Sequence, residues 1–367
     1  MPKNIKIKIL TIVGARPQFV KSATVSRLLN SKKNNEIQEL IVHTGQHYDD
    51  FMSGMFFREL EIPEPNYNLN VGSGSHSEQT GLMMNGIEKI VDIENPNLIL
   101  VYGDTNSTLA GALIAAKKPC KLAHVEAGLR SFRKGMAEEV NRVVTDSLSD
   151  ILLCPTEIAK KNLIQEGKGE KTFLVGDVMY DSYIYNSKKI NFSQGVDLNN
   201  LISNKFVLAT IHRAENTDNK EVLINIFSAL KTISNDICII IPLHPRTKKM
   251  VKKLDISLDG IKIIEPVSYK TMMFYLKKSS LVITDSGGLQ KEAYFAKVPC
   301  VTLRDETEWV ETLENGWNRL VAPNSKDNII SSVMSVLEID FANSKYSENY
   351  GNGNAAQKII DVILEQI

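Results

Sequence analysis

His124, Glu126, Arg130, Arg133, Glu138, Glu139 and Arg142 fall within nineteen consecutive positions, HVEAGLRSFRKGMAEEVNR. The apolar piece Lys121-Leu-Ala before them reads as the end of a strand. Glu138, Glu139 and Arg142 open a run continued by Val140, Val143, Val144 and Leu148, which is helical spacing. One acid therefore sits at a strand's carboxyl end and two sit in the first turn of the next helix. That is the crevice in which open α/β sheets keep their sites. Acids from different elements, each with an arginine nearby, can hold different protonation states and so act as an acid and base pair. The plainer reading is helix stabilisation. Acids favour a helix N-terminus, and Glu138 with Arg142 makes an ordinary i,i+4 pair.

The elements that must position these groups alternate strand with helix. Ile5–Val13 is the first strand, followed by the turn and helix GARPQFVKSATVSRLL. Gly14 allows the turn, and Arg16 and Lys21 bring positive charge to the helix start. Glu39–His43 is a strand ending in the polar loop HTGQHYDDF, Asn70–His76 is a glycine-serine loop, and Glu78–Val91 is an amphipathic helix. Asn97–Tyr102 is a strand ending in GDTNSTLAGALIAAK, where Asp104 and Thr105 cap a helix of small residues that can pack close to a sheet. Cys120–Val125, Ile151–Cys154 and Thr172–Val175 follow as strands. After a polar connector the pattern restarts with Phe206–Ile211, Ile237–Pro242, Ile261–Ile264, Leu281–Thr284 and Pro299–Leu303, and Ala355–Leu364 is the last helix. The expected fold is α/β, with two doubly wound, Rossmann-like domains facing across a cleft. They cover 1–182, with the helix 353–367 packing back on it, and 204–350, joined by a connector over 183–203.

The second half holds the clearest ligand feature. Asp285-Ser-Gly-Gly-Leu-Gln-Lys-Glu-Ala293 is a strand-to-helix turn with bare backbone at Gly287 and Gly288. Backbone N–H groups at a helix N-terminus suit a phosphate; Ser286 adds a hydroxyl, and Glu292, a turn further on, can bond vicinal ribose hydroxyls. A tight turn that happens to be glycine-rich is the alternative. His212-Arg213 and His244-Pro-Arg246 also follow strands. A histidine there is more often structural than catalytic, but Arg213 beside it can pair a diphosphate.

Composition excludes several classes. Lys+Arg and Asp+Glu are both 43, so nothing draws the whole molecule to nucleic acid or an anionic membrane. No apolar run approaches a membrane span, and the short basic N-terminus reads as a strand, not a signal peptide. The cysteines Cys120, Cys154, Cys238 and Cys300 lack CxxC pairing and are expected as buried, reduced thiols of a cytoplasmic protein. The six histidines lack metal-ligand spacing, so no metal is expected. GxGxxG and GxxxxGK[ST] are both missing, so no nicotinamide and no P-loop are expected either.

GARPQFVK, HTGQHYD, GDTNSTLAGALIAAK, HVEAGLRS, EEVNR, TIHRAEN and DSGGLQKEA occur in this order from about Ile7 to Trp317. The ordered set resembles the non-hydrolysing UDP-N-acetylglucosamine 2-epimerases, whose two domains take the glycosyltransferase-B arrangement. The resemblance implies cofactor-free C2 epimerisation of a UDP-2-acetamido sugar, for surface polysaccharide precursors such as those of lipopolysaccharide. UDP is eliminated as the C2 proton leaves, a 1,2-ene glycal forms, and UDP adds back while C2 is protonated on the other face. Carried over by motif, Asp104, Glu126, Glu138 and His212 are the catalytic set. Arg16, Lys21, Arg142, Arg213, His244, Ser286, Gly287, Gly288 and Glu292 bind substrate. A homodimer is expected.

The chain departs from the family pattern at two places. Gln46 is present, but Asp49 stands where substrate-regulated members have a second glutamine, which leaves activation by substrate open for this chain. RSFRKGMAEEVNR and GDVMYDS look more like the subgroup acting on UDP-2,3-diacetamido uronic acids, and Arg133 with Lys134 suits a sugar carboxylate. A solvated basic loop is the plainer reading of those two cations. The rival functions are a glycosyltransferase with an acceptor site, a hydrolysing relative that releases free sugar, and a non-catalytic UDP-sugar-binding protein.

Overall fold

A computed structural model describes residues 7–31, 36–45, 61–189 and 205–367. The chain divides into two compact units: Met1–Asn186 with Glu348–Ile367, and Ser187–Ser347. Each is built on its own parallel sheet.

The first sheet has seven strands: β1 Ile7–Val13, β2 Ile37–His43, β3 Tyr67–Asn68, β4 Leu98–Tyr102, β5 Lys121–Val125, β6 Ile151–Cys154 and β7 Thr172–Leu174. Their spatial order is β3-β2-β1-β4-β5-β6-β7, and every pairing is parallel. Helices cover the strands, which is why LILVY and ILLC are apolar without alternation. Leu10, Ile12, Val42, Ile99 and Val101 pack with Met83 and Ile87 of the helix His76–Glu94 into one core. Burying each such side chain stabilises the unit by about 1.5–3 kcal/mol. The helix Asn106–Ala115 packs tightly against the sheet, since a Cβ on Gly111 would come within 2.9 Å of the Val101 side chain.

The second sheet has six strands: β8 Phe206–Thr210, β9 Cys238–Pro242, β10 Ile261–Ile264, β11 Leu281–Thr284, β12 Cys300–Thr302 and β13 Asn318–Leu320. The order β10-β9-β8-β11-β12-β13 repeats that of the first sheet without its seventh strand. In both, the chain reverses direction of travel beside the first strand, between β1 and β4 and between β8 and β11. A doubly wound sheet opens its ligand crevice at that switch point. The α/β class with two parallel sheets is therefore what the alternation of strands and helices predicted.

Several local expectations are corrected. β3 and β13, of two and three residues, went unread because so short a run carries no period. The helix after β4 is capped by Thr105, which accepts from the Thr108 N–H, and Asp104 turns elsewhere. Cys238 is exposed and Cys120 half-buried, so only Cys154 and Cys300 are buried thiols. Gln46, Asp49 and most of the 183–203 connector lie outside the described residues.

The last helix, Ala355–Gln366, belongs to the first unit. Its Ile359, Ile360 and Ile363 are buried, and its first two N–H groups, at Ala355 and Ala356, donate to the Asp181 carboxylate at 3.1 and 2.8 Å. Asp181 thus caps a helix 174 residues away in the chain. Replacing it with alanine orphans both donors, and the expected cost is about 1–2 kcal/mol, the scale of a lost cap. Denaturant unfolding measures the loss, and faster hydrogen exchange confined to 355–366 locates it. Unchanged stability would show that water caps this helix equally well.

Candidate active site

In the first unit the site is assembled after β1, β4 and β5. Beyond β1 the chain turns at Gly14, where a Cβ would lie 2.0 Å from Thr44 Oγ1 and 2.3 Å from Ser107 Oγ. Gln18, fully buried, fixes this turn: its Oε1 accepts from Gly14 and Ala15 N–H at 2.8 and 3.1 Å. Its amide nitrogen donates to the Tyr102 carbonyl and to Thr108 Oγ1, both at 3.0 Å. The helix Arg16–Leu29 therefore starts at a set distance from the end of β4. Arg16 is exposed at its first position, whereas Lys21, one turn on, is only 7% exposed.

Lys21 Nζ forms an ion pair with Glu126 Oε2. Glu126 follows β5 and is 5% exposed. Its backbone is left-handed, at φ 75°, which is costly for glutamate. Neighbours hold it there. The N–H groups of Glu126 and Ala127 both donate to the Leu153 carbonyl of β6, at 3.0 and 3.2 Å. Gly128 N donates to Asp146 Oδ2 at 3.1 Å, and a side chain on Gly128 would strike the Ala159 carbonyl at 2.3 Å. Strained residues of this kind persist where the surroundings over-determine them, and they gather at functional sites.

Gly103, which follows β4, completes the wall. A Cβ there would stand 2.8 Å from Lys21 Nζ and 3.2 Å from Glu126 Oε2. Beside it, Asp104 Oδ2 accepts from Arg142 Nη2 at 2.8 Å, and Arg142 is 2% exposed on the helix Ala137–Leu148. Asn141 also holds this corner, donating to the Asp104 carbonyl at 2.9 Å. The structure thus brings Lys21 against Glu126 and Asp104 against Arg142, at the ends of adjacent strands.

Of the adjacent acids on that helix, Glu138 is exposed and Glu139 is buried. Glu139 accepts from the Ser131 and Phe132 N–H groups and from Ser131 Oγ at 2.9 to 3.1 Å, and lies 3.3 Å from Arg142 Nη1. It clamps the loop that carries Arg133 and Lys134. The i,i+4 pairing of Glu138 with Arg142 is replaced by Glu139, one residue later, and by Asp104.

In the second unit, His212 and Arg213 follow β8. His212 Nδ1 lies 3.4 Å from Asp285 Oδ1, with the ring 42% exposed. Arg213 reaches Glu215 at 3.6 Å. His244 caps the helix Pro245–Lys253 and is exposed, its ring 6.1 Å from that of His212. Ser286 caps the helix Gly287–Phe295, its Oγ accepting from Leu289 N–H at 3.3 Å. Ser286, Gly287 and Gly288 are partly exposed, while Glu292 is 7% exposed. A Cβ on Gly287 would stand 2.8 Å from Glu308 Oε1, so the Glu308 side chain packs against the bare turn.

Sequence reasoning missed the group that orders this corner. Asp285, fully buried, accepts from the N–H groups of His212 and Arg213 and from Asn216 Nδ2, at 3.0 to 3.2 Å. Its place at the head of the glycine turn was the only available signal. Gln18 and Gly103 were likewise not singled out. Among the described residues no cluster of three His, Cys, Asp or Glu is arranged to hold a metal ion, and no helix is long and apolar enough to cross a membrane.

The UDP-N-acetylglucosamine 2-epimerase family model matches residues 30–364. A UDP-N-acetylglucosamine 2-epimerase homolog of Methanococcus maripaludis is 51% identical, over 97% of this chain and 99% of its own. The UDP-2,3-diacetamido-2,3-dideoxy-D-glucuronate 2-epimerase of Pseudomonas aeruginosa is 45% identical, over 98% of this chain and 100% of its own. The crystal structure of Methanocaldococcus jannaschii UDP-GlcNAc 2-epimerase in complex with UDP-GlcNAc and UDP superposes with a TM-score of 0.89 at 44% identity, covering 98% of this chain and 100% of that one. With its two switch-point sites and these matches, the chain belongs to the UDP-N-acetylglucosamine 2-epimerase family and is a UDP-sugar 2-epimerase, an isomerase.

Proposed function

We propose that the protein interconverts UDP-N-acetylglucosamine and its C2 epimer by eliminating UDP to a 2-acetamidoglucal and adding it back. The observation that carries this is the pairing of carboxylates with cations in the first unit. Glu126 has Lys21, and Asp104 has Arg142, at the ends of neighbouring strands. Epimerisation needs one group to take the C2 proton and another to return a proton to the opposite face. Asp104, Glu126, the exposed Glu138 and His212 are assigned to that work, with Arg16, Lys21 and Arg142 as the cations that meet the substrate. In the second unit, Ser286, Gly287 and Gly288 take the diphosphate at the helix N-terminus, with Arg213 and His244 beside them and Glu292 on the ribose. Phosphate contacts that strengthen as UDP leaves stabilise the transition state. The reading takes no cofactor, a cytoplasmic homodimer, and a product used for surface polysaccharide.

A second reading is supported by one feature. The loop after β5 carries Arg133 and Lys134 exposed, and Glu139 holds its backbone in place. A preorganised basic loop suits a sugar with a C6 carboxylate, as in a UDP-2,3-diacetamido uronate. Offering each sugar separately in D₂O and following C2 by NMR decides between them. We expect deuterium at C2 of UDP-N-acetylglucosamine with the nucleotide sugar intact. Exchange with the uronate alone would establish the second reading, a glycoside or free sugar would establish a transferase or hydrolase, and no exchange with either would leave a binding protein.

Two variants test the assigned roles. Glu126→Gln should lower turnover on the order of 10²-fold or more, the scale of a removed acid–base group, while UDP still binds. Near-normal turnover would remove Glu126 from the chemistry. Glu292→Ala should raise KM with little change in kcat, because a ribose contact acts alike in ground and transition states. A wild-type KM with a collapsed kcat would show that Glu292 is no ribose ligand.

A further inference from the structure

His124 lies two residues before Glu126, on β5, and is fully buried. It has no assigned part in the chemistry, yet both ring nitrogens are engaged at short range. Nε2 is 2.7 Å from the Gly103 carbonyl oxygen, and Nδ1 is 2.7 Å from Asp146 Oδ1. A carbonyl only accepts, so Nε2 carries a hydrogen and donates it. Asp146, also fully buried, turns its other oxygen to Gly128 N–H and to Arg130 Nη1, at 3.1 and 2.7 Å. Arg130 in turn holds Glu166 through two bonds of 2.7 and 2.8 Å, which bring that carboxyl down to about 2. The ring therefore bridges the glycine after β4 and the left-handed turn after β5.

Gly103 is where this bridge meets the chemistry. It is itself left-handed, at φ 63°, and its bare Cα backs onto the Lys21–Glu126 pair. The ammonium and carboxylate pack directly against that Cα, at 2.8 and 3.2 Å from where a Cβ would stand, so a displacement of Gly103 moves the surface they rest on. Misplacing a reacting group by about 1 Å costs on the order of 10²-fold in rate.

We propose that His124 is a positioning residue for the acid–base chemistry of Glu126, acting through the Gly103 carbonyl, with Asp146 orienting its ring. The inference rests on the reading of Glu126 as an acid–base group. Asparagine and glutamine separate the two bonds of the ring. His124→Asn offers an amide near the Nδ1 position and loses Gly103; His124→Gln offers one near Nε2 and keeps it.

Turnover is measured with the substrate that exchanges in D₂O, alongside UDP binding by calorimetry and thermal unfolding. We expect His124→Asn to lower kcat about 10²-fold, with KM and the UDP Kd within about twofold, and His124→Gln to recover to within about tenfold of the parent. In a Glu126→Gln background, His124→Asn should cost less than about threefold further, because residues that act through one another are not additive. The proposal is overturned if the Asn and Gln variants lose kcat alike, if the loss follows UDP binding and unfolding, or if the two losses multiply in the double variant. Should His124→Asn fail to fold, His124→Gln decides: C2 exchange within tenfold of the parent supports the proposal, and a 10²-fold loss overturns it. An inactive Glu126→Gln beside a fully active His124→Asn defeats this inference alone. An active Glu126→Gln defeats the reading of Glu126 and this inference with it.

Discussion

An ammonium and a carboxylate, each almost wholly out of water, meet where Lys21 touches Glu126. Removing two such charges from water costs several kcal/mol per ion, and their attraction offsets this only with good geometry and further hydrogen bonds. Much of the first unit follows from that constraint. Gly103 sits bare and left-handed against the pair, Glu126 must adopt a left-handed backbone, and Leu153 must present its carbonyl to two successive N–H groups. Gln18 must fix the start of the helix that brings Lys21 in. A buried ion pair is weak evidence for stability, because a well-packed apolar pair is often as stable. Its place at the end of a strand, on a strained backbone, accords with the acid–base role proposed for Glu126.

The two units use the same topology for different ends. In each, polar residues gather after the first strand and after the strand that pairs with it at the switch point. In the second unit the buried acid there, Asp285, is fully occupied with backbone and amide donors. On the proposed reading it aims His212 and Arg213, whose N–H groups it holds. On that reading the ligand-facing groups of that unit are a hydroxyl, backbone N–H groups and cations, which bind an anion without exchanging protons with it. In the first unit the acids are paired with cations instead. On the proposed reading, nucleotide binding and acid–base work are thereby divided by the kind of partner each carboxylate has.

How much of this was legible depended on whether the signal was local. Long apolar runs such as LILVY and FVLAT announce buried parallel strands, and glycine after a strand announces a turn, so both sheets and the DSGG corner could be read. Asp104 was read as a cap because it precedes a helix; that Thr105 caps while Asp104 pairs with an arginine 38 positions later depends on a contact between elements. Glu138 and Glu139 differ by about 100° around their helix, and only the packing of that helix decides which one is turned inward. His124 looked like one ionisable residue among several. Its importance lies in a glycine carbonyl on the neighbouring strand, and no spacing rule records that.

On the second proposed reading, the loop from Ser131 to Met136 lets a carboxylate shape specificity without touching a substrate. Phe132 is 76% exposed and left-handed at φ 59°, an unfavourable state for an aromatic residue with no apolar cover. Glu139 pins it by accepting from two successive N–H groups and a hydroxyl, and the side chains that follow, Arg133 and Lys134, are held out in solvent. A flexible basic loop would lose conformational entropy on meeting an anionic sugar; a clamped one has already lost it on folding. Because Glu139 also contacts Arg142, the clamp and the Asp104–Arg142 pair share one side chain. A change in the loop is therefore passed to the Asp104–Arg142 pair, so on the proposed reading substrate choice and catalytic geometry are coupled through Glu139.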